Sequence, residues 1–189
     1  MTSEYVRSKV KYQPQAIFVK ALPTLENIMF KSTRELIKAR QPHTDYVVEV
    51  VAVKQESGGI PNQCFQNATD DRMLMKGNKV VSGWIVNPYD SSANSTAIVQ
   101  HWWNIDANGN YFDTTPSNGV IFEYVIDCDV SAYGQENFDN LENLVALSLL
   151  YKNGEFFSVE IINGNLNLIK IKSLATKNLF EFQSNKKSV

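Results

Sequence analysis

Between residues 24 and 40, Leu25, Ile28, Met29, Leu36 and Ile37 fall near helical spacing. That spacing predicts an amphipathic helix whose apolar stripe packs into a core. Pro23 and Thr24 open it, with Thr24 as the N-cap. Residues 46–53 are a short β-branched run and read as a strand. Ser57-Gly58-Gly59-Ile60-Pro61 then breaks the chain. A short helix is expected over about 63–76, with Asn62 placed to cap it and Gly77 to end it.

Beyond Gly77 the pattern turns to period two. Strands are expected over 80–86, 95–105, 111–115 and 120–128. A polar loop fills 87–94, and residues 129–140 are polar and irregular. The leucines of 141–151 fit either a helix ending at Gly154 or a strand entering a turn at Asn153-Gly154. A second turn signal, Asn163-Gly164, follows at strand spacing and favours a meander with 156–162 and 166–171. Near the N-terminus, 16–19 is a short extended stretch, and 183–189 reads as a flexible tail. No repeat or low-complexity tract interrupts the chain. The expected fold is one α+β domain over 1–189. Its antiparallel sheet packs against the helix at 24–40 and against a helix carrying Cys64 at its N-terminus.

Composition narrows the function. The 189 residues, 43% apolar and 20% charged, suit one globular domain. A net charge of −2 offers no basic field for phosphate backbones, so no nucleic-acid partner is expected. The polar start, Thr2-Ser3-Glu4-Tyr5, is unlike a secretory signal, and no apolar run approaches the ~20 residues that span a bilayer. Cys64 and Cys128 are the only cysteines, too few for a disulfide framework. Together these features predict a cytoplasmic protein with free thiols and no membrane partner.

A nucleophilic cysteine needs a thiol that ionises, a base within hydrogen-bond reach and a group that orients the base. With Asn62 as cap, Cys64 lies in the first helical turn, where free N–H groups favour a thiolate and can receive an oxyanion. Gln63 or Asn62 is a candidate second oxyanion donor. His101 lies in Ile98-Val99-Gln100-His101-Trp102-Trp103, and the only other histidine, His43, sits in a loop. Asn108-Gly109 marks a hairpin. With Ala107-Asn108-Gly109 as a three-residue loop, Trp103 faces Asp113 and His101 faces Thr115. His101, Trp103 and Asp113 then share one face, with His101 and Asp113 diagonal neighbours. A five-residue loop pairs them directly, and a four-residue loop puts them on opposite faces. Asp106 is a rival orienter but falls at the turn itself. Trp84, Trp102 and Trp103 are candidates to wall a substrate groove and equally candidates for core filling, with Trp102 facing away from His101.

The order Cys64, His101-Trp102-Trp103, then Tyr111-Phe112-Asp113-Thr114-Thr115-Pro116 resembles the transglutaminase-like branch of the papain-like superfamily. The resemblance covers about 62–116, under a third of the chain. It implies Cys64 as nucleophile, His101 as base and Asp113 as orienter, with Trp103 as the tryptophan two residues after the histidine. Gly83-Trp84 matches the aromatic strand between Cys and His. The surroundings of Cys64, Gln63-Cys64-Phe65, depart from that branch's small-aromatic context. The implied activity is acyl transfer on an amide bond of a peptide or protein, by hydrolysis, deamidation or transamidation, without cofactor. The other class of reading is a non-catalytic binding protein on the same fold. Neither His43 nor Cys128 has metal-ligand spacing, so no metal is expected.

Overall fold

A computed structural model describes residues 29–87, 94–130, 146–162 and 165–184. Its elements in chain order are α1 (Lys31–Arg40), β1 (Val48–Val51), β2 (Val53–Gln55), α2 (Cys64–Thr69), α3 (Asp71–Leu74), β3 (Lys79–Val86), β4 (Ser95–Ile105), β5 (Tyr111–Asp113), β6 (Glu123–Asp127), β7 (Ser148–Lys152), β8 (Glu155–Ile162), β9 (Asn165–Lys170) and α4 (Thr176–Ser184). Among the described residues the strands form one open sheet in the order β1-β6-β3-β4-β7-β8-β9, with β5 on β4 and β2 on β5. Every pairing is antiparallel except β2 with β5. The architecture is therefore mixed, with a mostly antiparallel, unclosed sheet and few helices. Among the described residues no helix is long and apolar enough to cross a membrane.

Burial along β4 shows how the sheet is used. Positions 95–100 alternate between partly and fully buried, and 100–104 are then buried on both faces. One face packs Trp84, Val86, Ile98 and Val125 against Leu36 of α1 and Leu179 of α4. The other gathers Trp103, Tyr124 and Ile126 with Val51, Val81 and Ile85. This second face carries the site.

The helix expected over 24–40 is observed over Lys31–Arg40. Thr24, the expected cap, lies outside the described residues. Phe30 holds the cap position, and its N–H donates to both Glu123 carboxylate oxygens, at 2.9 and 3.1 Å. The start of β6 thus replaces a side-chain cap for α1. The ambiguous 141–151 resolves as a strand over Ser148–Lys152, while 141–145 lies outside the described residues. Asn153 and Gly154 both take positive φ, 53° and 85°, the backbone that a tight hairpin turn requires. Asn163 and Gly164 are not described, but β8 and β9 flank them as an antiparallel pair. α4 runs to Ser184, so the expected tail begins inside a helix, and 185–189 lie outside the described residues.

Arg40, at the end of α1, is fully buried. Its Nε donates to Asp127 Oδ2 at 2.6 Å and its Nη2 to Asp127 Oδ1 at 3.0 Å. It also bonds the Leu174 carbonyl, the Thr176 hydroxyl at 3.0 Å and Asp129 at 3.3 Å. Asp127 in turn accepts the Trp84 indole N–H at 2.9 Å. One guanidinium therefore links α1, β6, β3 and the entry to α4. Arg40→Met leaves Asp127 buried without a counter-ion, and removing one partner of such a pair costs ~3–5 kcal/mol. The expected result is a lower urea midpoint for Arg40→Met, partly restored in Arg40→Met/Asp127→Leu.

Candidate active site

The hairpin between β4 and β5 has the register expected for a three-residue loop. Asn104 pairs with Phe112 and Ile105 with Tyr111. Gly109 takes φ 85°, and the Asp106 N–H donates to the Asn110 carbonyl at 3.0 Å. The Asp106 carboxylate accepts the Asn108 and Asn110 N–H groups, each at 2.8 Å. Asp106 is thus occupied by the turn, and Asp113 is the carboxylate that meets His101.

His101 Nε2 and Asp113 Oδ2 are 2.6 Å apart, with both residues almost fully buried. Cys64 is near enough to His101 to act on the imidazole's titration. Asp113 has further donors: the Tyr124 hydroxyl on Oδ2 at 2.8 Å and the Thr115 N–H on Oδ1 at 2.8 Å. From the edge, Gln55 Nε2 donates to the main-chain oxygens of Asp113 at 2.8 Å and Thr115 at 2.6 Å. The imidazole stacks on Trp103, with centroids 6.3 Å apart and planes inclined by 23°, and meets the Tyr124 ring edge-on at 5.9 Å. Gly83 lies opposite His101 on β3. A Cβ there would sit 2.1 Å from the Val125 carbonyl oxygen and 2.9 Å from the Trp103 ring, so only glycine admits this packing.

The electrostatics follow from these contacts. Burial opposes charge on His101, but the bonds to Asp113 and Cys64 outweigh it and raise its pKa to about 9. Burial pushes the Asp113 carboxyl up, yet His101, Thr115 and Tyr124 together hold it below its ordinary value. Burial first, then the Asp113 charge, pushes the Tyr124 phenol well above its ordinary value. Burial and the Asp127 charge push the Cys128 thiol up, which disfavours a thiolate there.

Cys64 is the first residue of α2 and is half-buried. The expected cap is corrected. Asn62 is exposed with φ 61°, and Gln63 holds the cap position without a side-chain bond. The chain enters by a turn in which the Gln63 N–H donates to the Ile60 carbonyl at 3.3 Å. Such a turn places Asn62 in the left-handed region that asparagine tolerates. The helix expected over 63–76 is two short helices broken at Asp70. Its carboxylate accepts the Arg72 N–H at 2.8 Å, so a capping residue ends one helix and begins the next.

Asn67, absent from the sequence-based set, fixes α2 to the hairpin. Its Oδ1 accepts the Ile60 N–H at 2.9 Å, and its Nδ2 donates to the Ile60 carbonyl at 2.8 Å and to Thr115 Oγ1 at 3.0 Å. The Gly59 N–H adds a bond to the Thr114 carbonyl at 3.1 Å. On the strand side, Asn104 Nδ2 donates to the Ala68 carbonyl at 2.9 Å, and Phe65 meets Trp102 edge-on at 5.6 Å. The available signal for Asn67 was a polar residue one turn after Cys64, on the side that must face the sheet.

The tryptophans do not wall a groove. Trp84 is fully buried on the sheet face opposite His101 and bonded to Asp127, which corrects its placement among substrate-binding residues. The β3–β4 pairing puts it one position out of phase with Gly83 and His101. Trp103 is also fully buried and touches His101 rather than solvent. Two apolar depressions, of about 190 and 250 Å³, are both lined by Val53, Phe122 and Tyr124, and neither by Cys64, His101 or Asp113. His43 is apart from the site, with its Nε2 3.2 Å from Ser173 Oγ. Among the described residues no group of three or more His, Cys, Asp or Glu side chains is arranged to hold a metal ion.

No protein-family model, curated protein or solved structure matches the chain.

The His101 pKa predicts a pH dependence of stability. Its folded value of about 9 lies above the ordinary imidazole value of 6.5. The stabilisation it contributes is therefore complete below pH 6.5 and is lost as pH rises through about 9. Thermal midpoints followed across this window are expected to fall more steeply in the wild type than in His101→Gln.

Proposed function

We propose that the chain uses Cys64 as a nucleophile in acyl transfer on amide bonds of a peptide or protein. A Cys64 borne on a helix, with His101 and Asp113 borne on strands, resembles the transglutaminase-like arrangement of the papain-like fold and supports this reading. One observation carries the reading: a single buried imidazole engages Asp113 through Nε2 at 2.6 Å and is also acted on by the Cys64 side chain.

The chemistry follows from that arrangement. The thiol proton passes to His101, and the thiolate attacks the amide carbonyl carbon. N–H groups in the first turn of α2 have no partner within the helix and receive the oxyanion. Gln63 is exposed beside Cys64 and is the side chain suited to add a donor, whereas Asn62 is turned into the entry bend. As the tetrahedral adduct collapses, the C–N bond breaks and the imidazolium gives its proton to the departing amine or ammonia, leaving a thioester on Cys64. Water or an amine then attacks the thioester, His101 takes its proton, and the thiol is released. Asp113 keeps the imidazole oriented and stabilises its charge without taking the proton. With His101 and Asp113 buried, the acyl group approaches from the side of Cys64.

That burial also favours a second reading, a binding protein in which the same three residues are structural. Alkylation by iodoacetamide as a function of pH separates the two. The catalytic reading expects Cys64 to react faster than free cysteine at about neutral pH. It expects a slowing of roughly 10- to 100-fold in His101→Ala and no change in Cys128→Ala. Amide turnover is expected to decline as pH rises through about 9, where His101 loses its proton. A Cys64 no faster than a free thiol, or protected until the chain unfolds, leaves the binding reading.

A further inference from the structure

Beyond the three residues of the proposed triad, we infer that Tyr124 is a positioning residue of the same site, acting through Asp113. The inference rests on the Cys64–His101 reading above.

Its ground is an oxygen shared by two donors. Asp113 Oδ2 lies 2.6 Å from His101 Nε2 and 2.8 Å from the Tyr124 hydroxyl, while Oδ1 accepts the Thr115 N–H at 2.8 Å. A buried carboxylate with only the imidazole as partner could rotate about its Cβ–Cγ bond or take up the imidazole proton. The Thr115 N–H on one oxygen and the Tyr124 hydroxyl on the other oppose both outcomes, because each donor favours the ionised carboxylate in this one orientation. The Tyr124 ring adds a geometric constraint. It meets His101 edge-on at 5.9 Å and Trp103 edge-on at 5.4 Å, so imidazole, indole and phenol form one packed aromatic set. Tyr124 stands on β6, two strands from His101 across β3, and its partner Val51 on β1 secures the backbone beneath it. It is 8% exposed, which leaves little room for water to replace the hydroxyl.

Among the described residues, the ionisable groups that face Asp113 are His101 from β4 and Tyr124 from β6, and Cys64 of α2 acts on both of these. Removing the hydroxyl withdraws a donor from the ionised form of Asp113. The carboxyl then protonates at higher pH, and the imidazole loses its fixed tautomer over that range.

The experiment compares Tyr124→Phe, Asp113→Asn and the double variant with wild type and His101→Ala. The readout is the rate of Cys64 alkylation by iodoacetamide across pH, with near-ultraviolet circular dichroism to verify packing. Tyr124→Phe keeps the ring, so the expected spectrum is native. Its alkylation rate is expected to fall up to about tenfold on the acid side of the profile, with the acid limb displaced upward by about one pH unit, the scale of a hydrogen bond to a charged group. In the Asp113→Asn background the same change is expected to have no further effect, since the hydroxyl acts through the carboxylate. A Tyr124→Phe profile that overlays the wild type while His101→Ala still slows Cys64 overturns the inference and leaves the triad reading intact. Equal slowing by Tyr124→Phe with and without Asp113→Asn also overturns it, assigning Tyr124 a packing role. If His101→Ala leaves the rate unchanged, the triad reading falls and takes the inference with it.

Discussion

The buried pair of Arg40 and Asp127 is the constraint on which the other contacts rest. A guanidinium with no solvent exposure is tolerated only when its donors find acceptors, and here Asp127, Asp129, Thr176 and the Leu174 carbonyl supply them. Because these partners come from β6 and the segment entering α4, the helical layer and the sheet are fixed together at one point. The same strand, β6, turns Asp127 toward the helices and Tyr124 toward the other face. A contact far from Cys64 thereby sets the strand that brings a hydroxyl to Asp113.

The sheet divides labour between its faces. The helix-covered side holds the larger aliphatic cluster, and the other side holds the polar pair in an aromatic setting. Two glycines make the second side possible. Gly83 leaves the space that the Trp103 ring occupies, and Gly59 lets the chain before Cys64 approach the Thr114 carbonyl, where a Cβ would lie 2.4 Å away. Asn67 then ties that chain to both α2 and Thr115. Cys64 is positioned by its neighbours' backbone more than by its own helix, which is only six residues long.

The local features of this fold were legible in the sequence, and the non-local ones were not. Asn108-Gly109 and Asn153-Gly154 demand backbone that few other pairs supply, so their hairpins and the His101–Asp113 alignment could be read from turn chemistry and alternation. The Asn62 cap could not, because the choice between cap and left-handed bend is made by Gly59 docking on Thr114, a contact across the chain. Trp84 was misplaced because aromatic character alone does not say which face of β3 it occupies, and that phase is set by pairing with β4. The parallel pairing of β2 with β5 joins segments distant in sequence and leaves no local mark. Arg40 looks like any basic residue at a helix end, and only the assembled core shows that it is an interior ion.

Surface turns are ordinarily where a chain gains and loses residues at little cost. The turn over 107–109 is different, because strand side chains alternate and one added residue carries Asp113 to the other face. What the turn must preserve is parity. Its side chains are free to drift within the needs of the bend, and two residues can be added together without reversing the face. A single insertion would leave the turn well formed and the sheet intact while silently separating His101 from Asp113. So small a change would separate the stability of the fold from the integrity of the buried pair.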